Sequence, residues 1–177
     1  PYTNLENTPK AKNVIVLIAD GQSSDVITYS RWFKGGDSLA IDEMLSGAVR
    51  THNADSPIAD SAPAGTALAT GYKSSYQQFI GILPDEAILP NSSIPTEARA
   101  PIANVLEAAQ LLGKSTGVIS TSEIMHATPA AFSAHDITRK DYDDLSEQQV
   151  FQDIDVILGG GYKFFTKEAR KDGKDLI

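Results

Sequence analysis

The run Asn13–Ala19, NVIVLIA, constrains the fold more than any other stretch of this 177-residue chain. It is continuous, rich in β-branched residues and without polar alternation, so neither of its faces suits water. That pattern predicts a strand buried on both sides in a parallel sheet. The run stops at Asp20-Gly21, a turn signal. Two later runs repeat the design: Lys114–Ser120, centred on Gly117-Val118-Ile119, and Asp155–Leu158, closed by Gly159-Gly160-Gly161. Parallel strands need long crossovers, usually helical. The intervening sequence offers a helix from Ser24 to Gly35-Gly36 and a second at about Leu39–Leu45. A third is predicted over Pro101–Leu112, with Pro at its first position and Gly113 at its end. A short strand is expected near residues 48–52, a short helix from Thr128-Pro129, and a polar, acidic helix or loop over 140–152. Residues 1–12 are polar and read as irregular, and 72–100, with three prolines, reads as a long excursion. The last eleven residues read as a charged helix or loop. Strands alternating with helices predict an α/β fold: a layered sandwich with a mostly parallel central sheet flanked by helices.

Composition narrows the chemistry. There is no Cys, which excludes disulfides, thiolate catalysis and Cys-based zinc sites together. The net charge of -8 and the lack of a basic run argue against nucleic acid as a partner. An anionic substrate would therefore need local positive charge from a metal, an arginine or a helix end. No apolar run approaches the ~20 residues of a membrane span. The N-terminal residues lack the charged-then-apolar pattern of a signal peptide, which fits either a cytoplasmic protein or one whose signal has been removed.

Ligands in parallel α/β sheets gather at the carboxyl ends of strands, and three polar groups fall there. Asp20 follows the first run; an ordinary turn or cap explains it equally well. Asp60-Ser61 opens the stretch ADSAPAGTALATG, where Asp60 also reads as a plain N-cap. His126-Ala127-Thr128 follows the second run, where a structural His and a capping Thr are the ordinary alternatives. The case for Ser61 as a nucleophile is the most specific. A hydroxyl is a weak nucleophile unless activated. A helix N-terminus supplies unpaired N–H groups and partial positive charge, which favour both an alkoxide and a bound phosphate. The small residues after Ser61 would let the helix end approach a ligand and the sheet. Pro63 disfavours a helical Ala62, so the helix is expected to begin at Pro63 with Ser61 just outside. A bound metal would complete activation of the hydroxyl, and Asp20 and Thr128 are the best ligand candidates. Arg139 offers a planar fork for two phosphate oxygens, although it stands in a charged run typical of a surface.

Four blocks resemble the alkaline phosphatase family: NVIVLIADG (13–21), ADSAPAGTALATG (59–71), HATPAAFSAHDITR (126–139) and DVILGGG (155–161). They occur in the family's order and span almost the whole chain. The resemblance implies that Ser61 is the nucleophile that becomes phosphoserine and binds a zinc. It implies that Asp20 bridges a zinc and a magnesium, that Thr128 is a magnesium ligand, and that Arg139 clamps phosphate. His126 stands where the family carries Asp or His, near the third metal site. Asp60 orients the Ser61 turn, and His135 supports the site from behind; His52 receives no role. Two Zn²⁺ and one Mg²⁺ are expected in the complete protein, acting on small phosphate monoesters, in a homodimer that is periplasmic, secreted or at the cell surface. The family's other ligands include several His downstream, and no His follows Arg139 here. The resemblance thus makes residues 1–177 the N-terminal part of a single catalytic domain, inactive alone. A related superfamily hydrolase of diesters or sulfate esters, or a non-catalytic scaffold, is the alternative.

Overall fold

The structure, a computed structural model, describes residues 11–75, 78–90 and 97–177. It divides into two compact units, Pro1–Leu45 and Ser46–Ile177.

In the first unit the long helix forms as expected. Helix α1, Ser24–Phe33, starts where the Ser23 hydroxyl accepts from Val26 N–H at 3.3 Å. Asp25 lies in its first turn and Arg31 in its last, both matched to the helix dipole. It ends at Gly35 and Gly36, which take left-handed φ values of 84° and 94°. The expected second helix is only a 3₁₀ turn, Ala40–Met44. Its short hydrogen-bonded span is fixed by Asp42, whose carboxylate accepts from Leu39 N–H and from Arg31. The run 13–19 is a correction: it has no strand pairing, and its side chains are exposed, Leu17 by 91%. A parallel strand exists only through a ladder partner, and among the described residues this segment has none. The apolar pattern describes a strand that must be covered; it cannot supply the cover. The strand expected near 48–52 is also absent.

In the second unit the order is α2 (Ser61–Thr70), α3 (Val105–Leu111), β1 (Gly117–Glu123), α4 (Ala127–Ala130), α5 (Tyr142–Phe151), β2 (Val156–Gly160) and a 3₁₀ turn, Tyr162–Phe165. Strands β1 and β2 pair in parallel, with Val118 beside Ile157 and Ile119 beside Leu158. This confirms the α/β class with a small, incomplete parallel sheet. Helix α3 starts later than predicted: Asn104 caps it, so Val105 rather than Pro101 is its first residue. Asn104 Oδ1 accepts from Leu106 and Glu107 N–H, and Glu107 reaches back to Asn104 N–H. Its predicted end holds, with Gly113 at φ 67°.

The core joins Ala62 of α2, Ala127 and Ala130 of α4, Leu145 of α5, Val118 of β1, and Ile80, Leu106, Ile124 and Met125. Helices α2 and α4 meet through small residues. A Cβ at Gly65 would lie 3.0 Å from Ala131 Cβ and 3.5 Å from Thr128 Cα. The bareness of α2 therefore serves close helix packing, a role different from the predicted approach to ligand and sheet. The excursion over 72–100 also holds a surprise. Its segment Phe79-Ile80-Gly81-Ile82-Leu83 returns to the interior, with Ile80 and Ile82 forming antiparallel bridges to Asp136 and Pro101. The parts of that excursion at 76–77 and 91–96, and residues 1–10, lie outside the described residues.

Candidate active site

The N-terminus of α2 is the centre of the site. Asp60 is its N-cap, and the carboxylate accepts from Ala62 N–H at 3.5 Å while Ala64 N–H closes the first helical bond onto Asp60 O at 3.1 Å. The helix thus begins at Ser61, two residues earlier than Pro63, the predicted start. The Asp60 cap holds Ala62 in the helical region despite the following proline. Pro63 falls in the first turn, where its missing N–H has no intrahelical acceptor to lose. Ser61 is therefore inside the first turn of a ten-residue helix, at the positive end of the helix dipole.

Arg139 reaches this point from far along the chain. Its Nη1 donates to Asp60 Oδ2 at 2.8 Å and to Ser61 Oγ at 2.9 Å. Its Nη2 donates to His126 Nε2 at 2.9 Å. The side chain is only 16% exposed, so the surface-charge reading of the run Arg139-Lys140-Asp141 fails. Burial pushes the Asp60 carboxyl up, but the Arg139 hydrogen bond and charge, with the Ala62 and Ser61 N–H groups, more than offset it and hold the group below the ordinary carboxylate range.

His126 is the N-cap of α4 but makes no side-chain cap bond, which leaves its ring turned toward Arg139. Thr128 lies within α4, against Gly65 of α2, rather than capping the helix. His135 joins three other segments. Its Nδ1–H donates to Gly81 O at 2.7 Å, its Nε2 meets Glu107 Oε1 at 2.9 Å, and its backbone pairs doubly with the Gln148 amide. Asp20 belongs to the first unit, in the turn after residue 19, where Gln22 N–H donates to Ala19 O at 3.2 Å and Gly21 has φ 72°.

Thus Asp60, Ser61, His126 and Arg139 are brought into one hydrogen-bonded cluster, with Thr128 on the adjoining helix. Among the described residues no group of three or more His, Cys, Asp or Glu forms a metal cluster. The residue types present nonetheless suit a divalent cation in kind: a serine hydroxyl, a threonine hydroxyl and a histidine ring, the hard and borderline ligands of magnesium and zinc. They fit as part of a ligand set. Sequence reasoning missed Asp136, whose carboxyl is raised to about 6, chiefly by burial and then by its bond to Asp144. It also missed Thr66, whose partners lie on the 79–81 segment. No local signal marks either residue, because both depend on contacts with another segment.

A serine at a helix N-terminus, with a largely buried guanidinium donating to it, has the chemistry to attract an oxyanion in an α/β protein. The alkaline phosphatase family model matches residues 11–177, and the chain belongs to that family. It is similar to alkaline phosphatase 4 of Bacillus subtilis, 37% identical over 97% of this chain and 37% of the relative. It is also similar to the structure of a cold-active alkaline phosphatase from a psychrophilic Shewanella, at TM-score 0.73 and 31% identity, covering 86% of this chain and 37% of that one. A variant of the alkaline phosphatase from the Antarctic bacterium TAB5, with Mg bound in its M3 site, matches at TM-score 0.69 and 29% identity, over 85% of this chain and 39% of that one. The chain therefore spans well under half the length of these relatives.

Proposed function

We propose that this chain supplies the nucleophile and the phosphate clamp of an enzyme that hydrolyses phosphate monoesters through a phosphoserine on Ser61. The observation that carries this reading is the Arg139 guanidinium shared between Asp60 and Ser61 Oγ at the first turn of α2. Asp60 accepts from the same guanidinium nitrogen that donates to Ser61 Oγ, which holds that nitrogen beside the hydroxyl. The guanidinium and the helix N-terminus attract the phosphoryl oxygens and offset the charge that develops on them. Ser61 Oγ attacks phosphorus, the Oγ–P bond forms, and the ester P–O bond breaks. The Ser61 proton goes to solvent and the departing alkoxide gains one from water. A water then attacks the phosphoserine, the Oγ–P bond breaks, inorganic phosphate leaves, and Ser61 regains its proton.

Asp20, Ser61, Thr128 and His126 would contribute to holding the two Zn²⁺ and the Mg²⁺ expected of the family. When bound, these ions would supply Lewis acidity and lower the pKa of a coordinated hydroxyl. His135 and Asp60 support the site without binding substrate. The enzyme acts on small phosphate esters, is exported to the periplasm, the medium or the cell surface, and functions as a homodimer. Among the described residues no helix is long and apolar enough to cross a membrane. The 177-residue chain alone is inactive, because its ligand set is partial.

Acid quench of the full-length protein during turnover of a phosphomonoester, followed by mass spectrometry, tests the reading. Phosphate on Ser61, lost in Ser61→Ala, is the expected result. An active protein with unlabelled Ser61 would overturn it, and an inactive one would point to the scaffold alternative.

A further inference from the structure

We infer that Thr66 is a positioning residue for Arg139, fixing the guanidinium against Ser61 from inside α2. The inference rests on Arg139 being the phosphate clamp only for its functional consequence; its geometry stands alone. Thr66 is fully buried, five residues after Ser61 on the same helix. Its hydroxyl is used twice: Oγ1 accepts from Gly81 N–H at 2.9 Å and donates to Phe79 O at 3.2 Å. These two bonds pin the short segment 78–81 to α2.

That segment is what Arg139 hangs from. Arg139 N–H donates to Gln78 O at 3.0 Å, and Asp136 and Ile80 exchange both backbone bonds, at 2.8 and 2.9 Å. The turn between them is closed by Asp136 Oδ1, which accepts from Thr138 N–H at 2.7 Å. The result is a closed circuit. It runs along α2 from Ser61 to Thr66, across to residues 78–81, over to 136–139, and through the Arg139 side chain back to Ser61 Oγ. Every crossing is a hydrogen bond between named groups. Two crossings use side chains of the helix that carries the nucleophile, Ser61 at its start and Thr66 at its middle, and the Thr66 crossing fixes that helix to the segment from which the arginine hangs. A serine would keep both bonds. A valine of the same shape would keep the packing and leave Gly81 N–H and Phe79 O without these partners.

Amide hydrogen exchange on the chain is the primary test. Thr66→Val is expected to speed exchange of Gly81 and Arg139 amides roughly tenfold or more. The Gly117–Glu123 strand should keep its protection, and Thr66→Ser should restore the parent pattern. Unchanged protection at Arg139, or loss spread evenly over β1 and α5, would overturn the inference, since the latter is mere destabilisation. The functional arm uses inorganic phosphate as probe on the metal-loaded full-length protein. Thr66→Val should weaken phosphate binding, Thr66→Ser should not, and Thr66→Val should add nothing to Arg139→Ala. Additive losses in the two variants would count against action through Arg139. If Arg139→Ala leaves phosphate affinity unchanged, the phosphate-clamp reading falls, and the exchange result still decides the positioning inference.

Discussion

Replacing Gly81 by alanine tests the segment on which the site is built. Gly81 has φ +58°, a left-handed conformation that costs an L-residue about 1 kcal/mol. The added Cβ would also lie 2.5 Å from Ala134 O and 2.6 Å from His135 Nδ1. The first of these is backbone, so it cannot swing aside as the end of a flexible side chain would. Relief requires the 134–135 backbone or the Thr66–Gly81 bond to shift, which costs about 2 kcal/mol on the scale of overpacked cores. The sum is about 3 kcal/mol. With an m-value of about 1.5–2 kcal/mol/M in urea, the midpoint should fall by about 1.5–2 M. Gly71→Ala is the control. Gly71 has φ +79°, and an added Cβ there would meet nothing within 4 Å, so it reports the backbone cost alone, about 1 kcal/mol. Equilibrium urea unfolding followed by circular dichroism gives both values. A Gly81→Ala variant no less stable than Gly71→Ala would refute the steric overlap and with it the tightness claimed for residues 79–81.

Further outcomes follow from other contacts. The Arg170 side chain is fully buried and donates to Asp172, Ser146 Oγ and Phe164 O; Arg170→Ala should cost about 2–3 kcal/mol, read as a lower urea midpoint and faster proteolysis after residue 165. Asp136 titrates at about 6 when folded against 3.8 as a free side chain, raised chiefly by burial and further by Asp144 and Asp141. The folded chain thus binds more protons between those values, so stability falls as pH rises from about 4 to about 6. Asp136→Asn keeps the Oδ1 acceptor for Thr138 N–H and removes the charge, so urea midpoints at about pH 4 and about pH 7 should differ less in the variant than in the parent. Conversely, Asp60 is held below its ordinary range, so its contribution is present above the unfolded pKa and is lost as pH falls through the folded one; comparing acid titrations of the parent and Asp60→Asn checks this. The chain alone, with zinc and magnesium added, should not hydrolyse a chromogenic phosphomonoester, and substantial turnover would contradict the partial ligand set.

The sequence by itself determined the class of several elements and pointed to Ser61, His126 and Arg139, which the fold brings together. The apolar runs at 114–120 and 155–158 marked β1 and β2, but the burial on both faces that such runs imply is not met: Ile119 is 71% and Leu158 57% exposed. Asp60-Ser61 announced a helix start, because capping chemistry is local. What depended on a distant partner was not legible. Residues 13–19 have the composition of a buried strand, yet pairing is a property of two segments, and here the segment is unpaired and exposed. The 79–83 segment, hidden in a proline-bearing excursion, became core only through Asp136 and Pro101. Arg139 looked like a surface charge until the fold placed Asp60, Ser61 and His126 around it, from residues up to 79 positions away. Thr66 looked like one more small residue in a bare helix. The tertiary structure gave its hydroxyl two backbone partners, and gave the small residues beside it a helix to pack against.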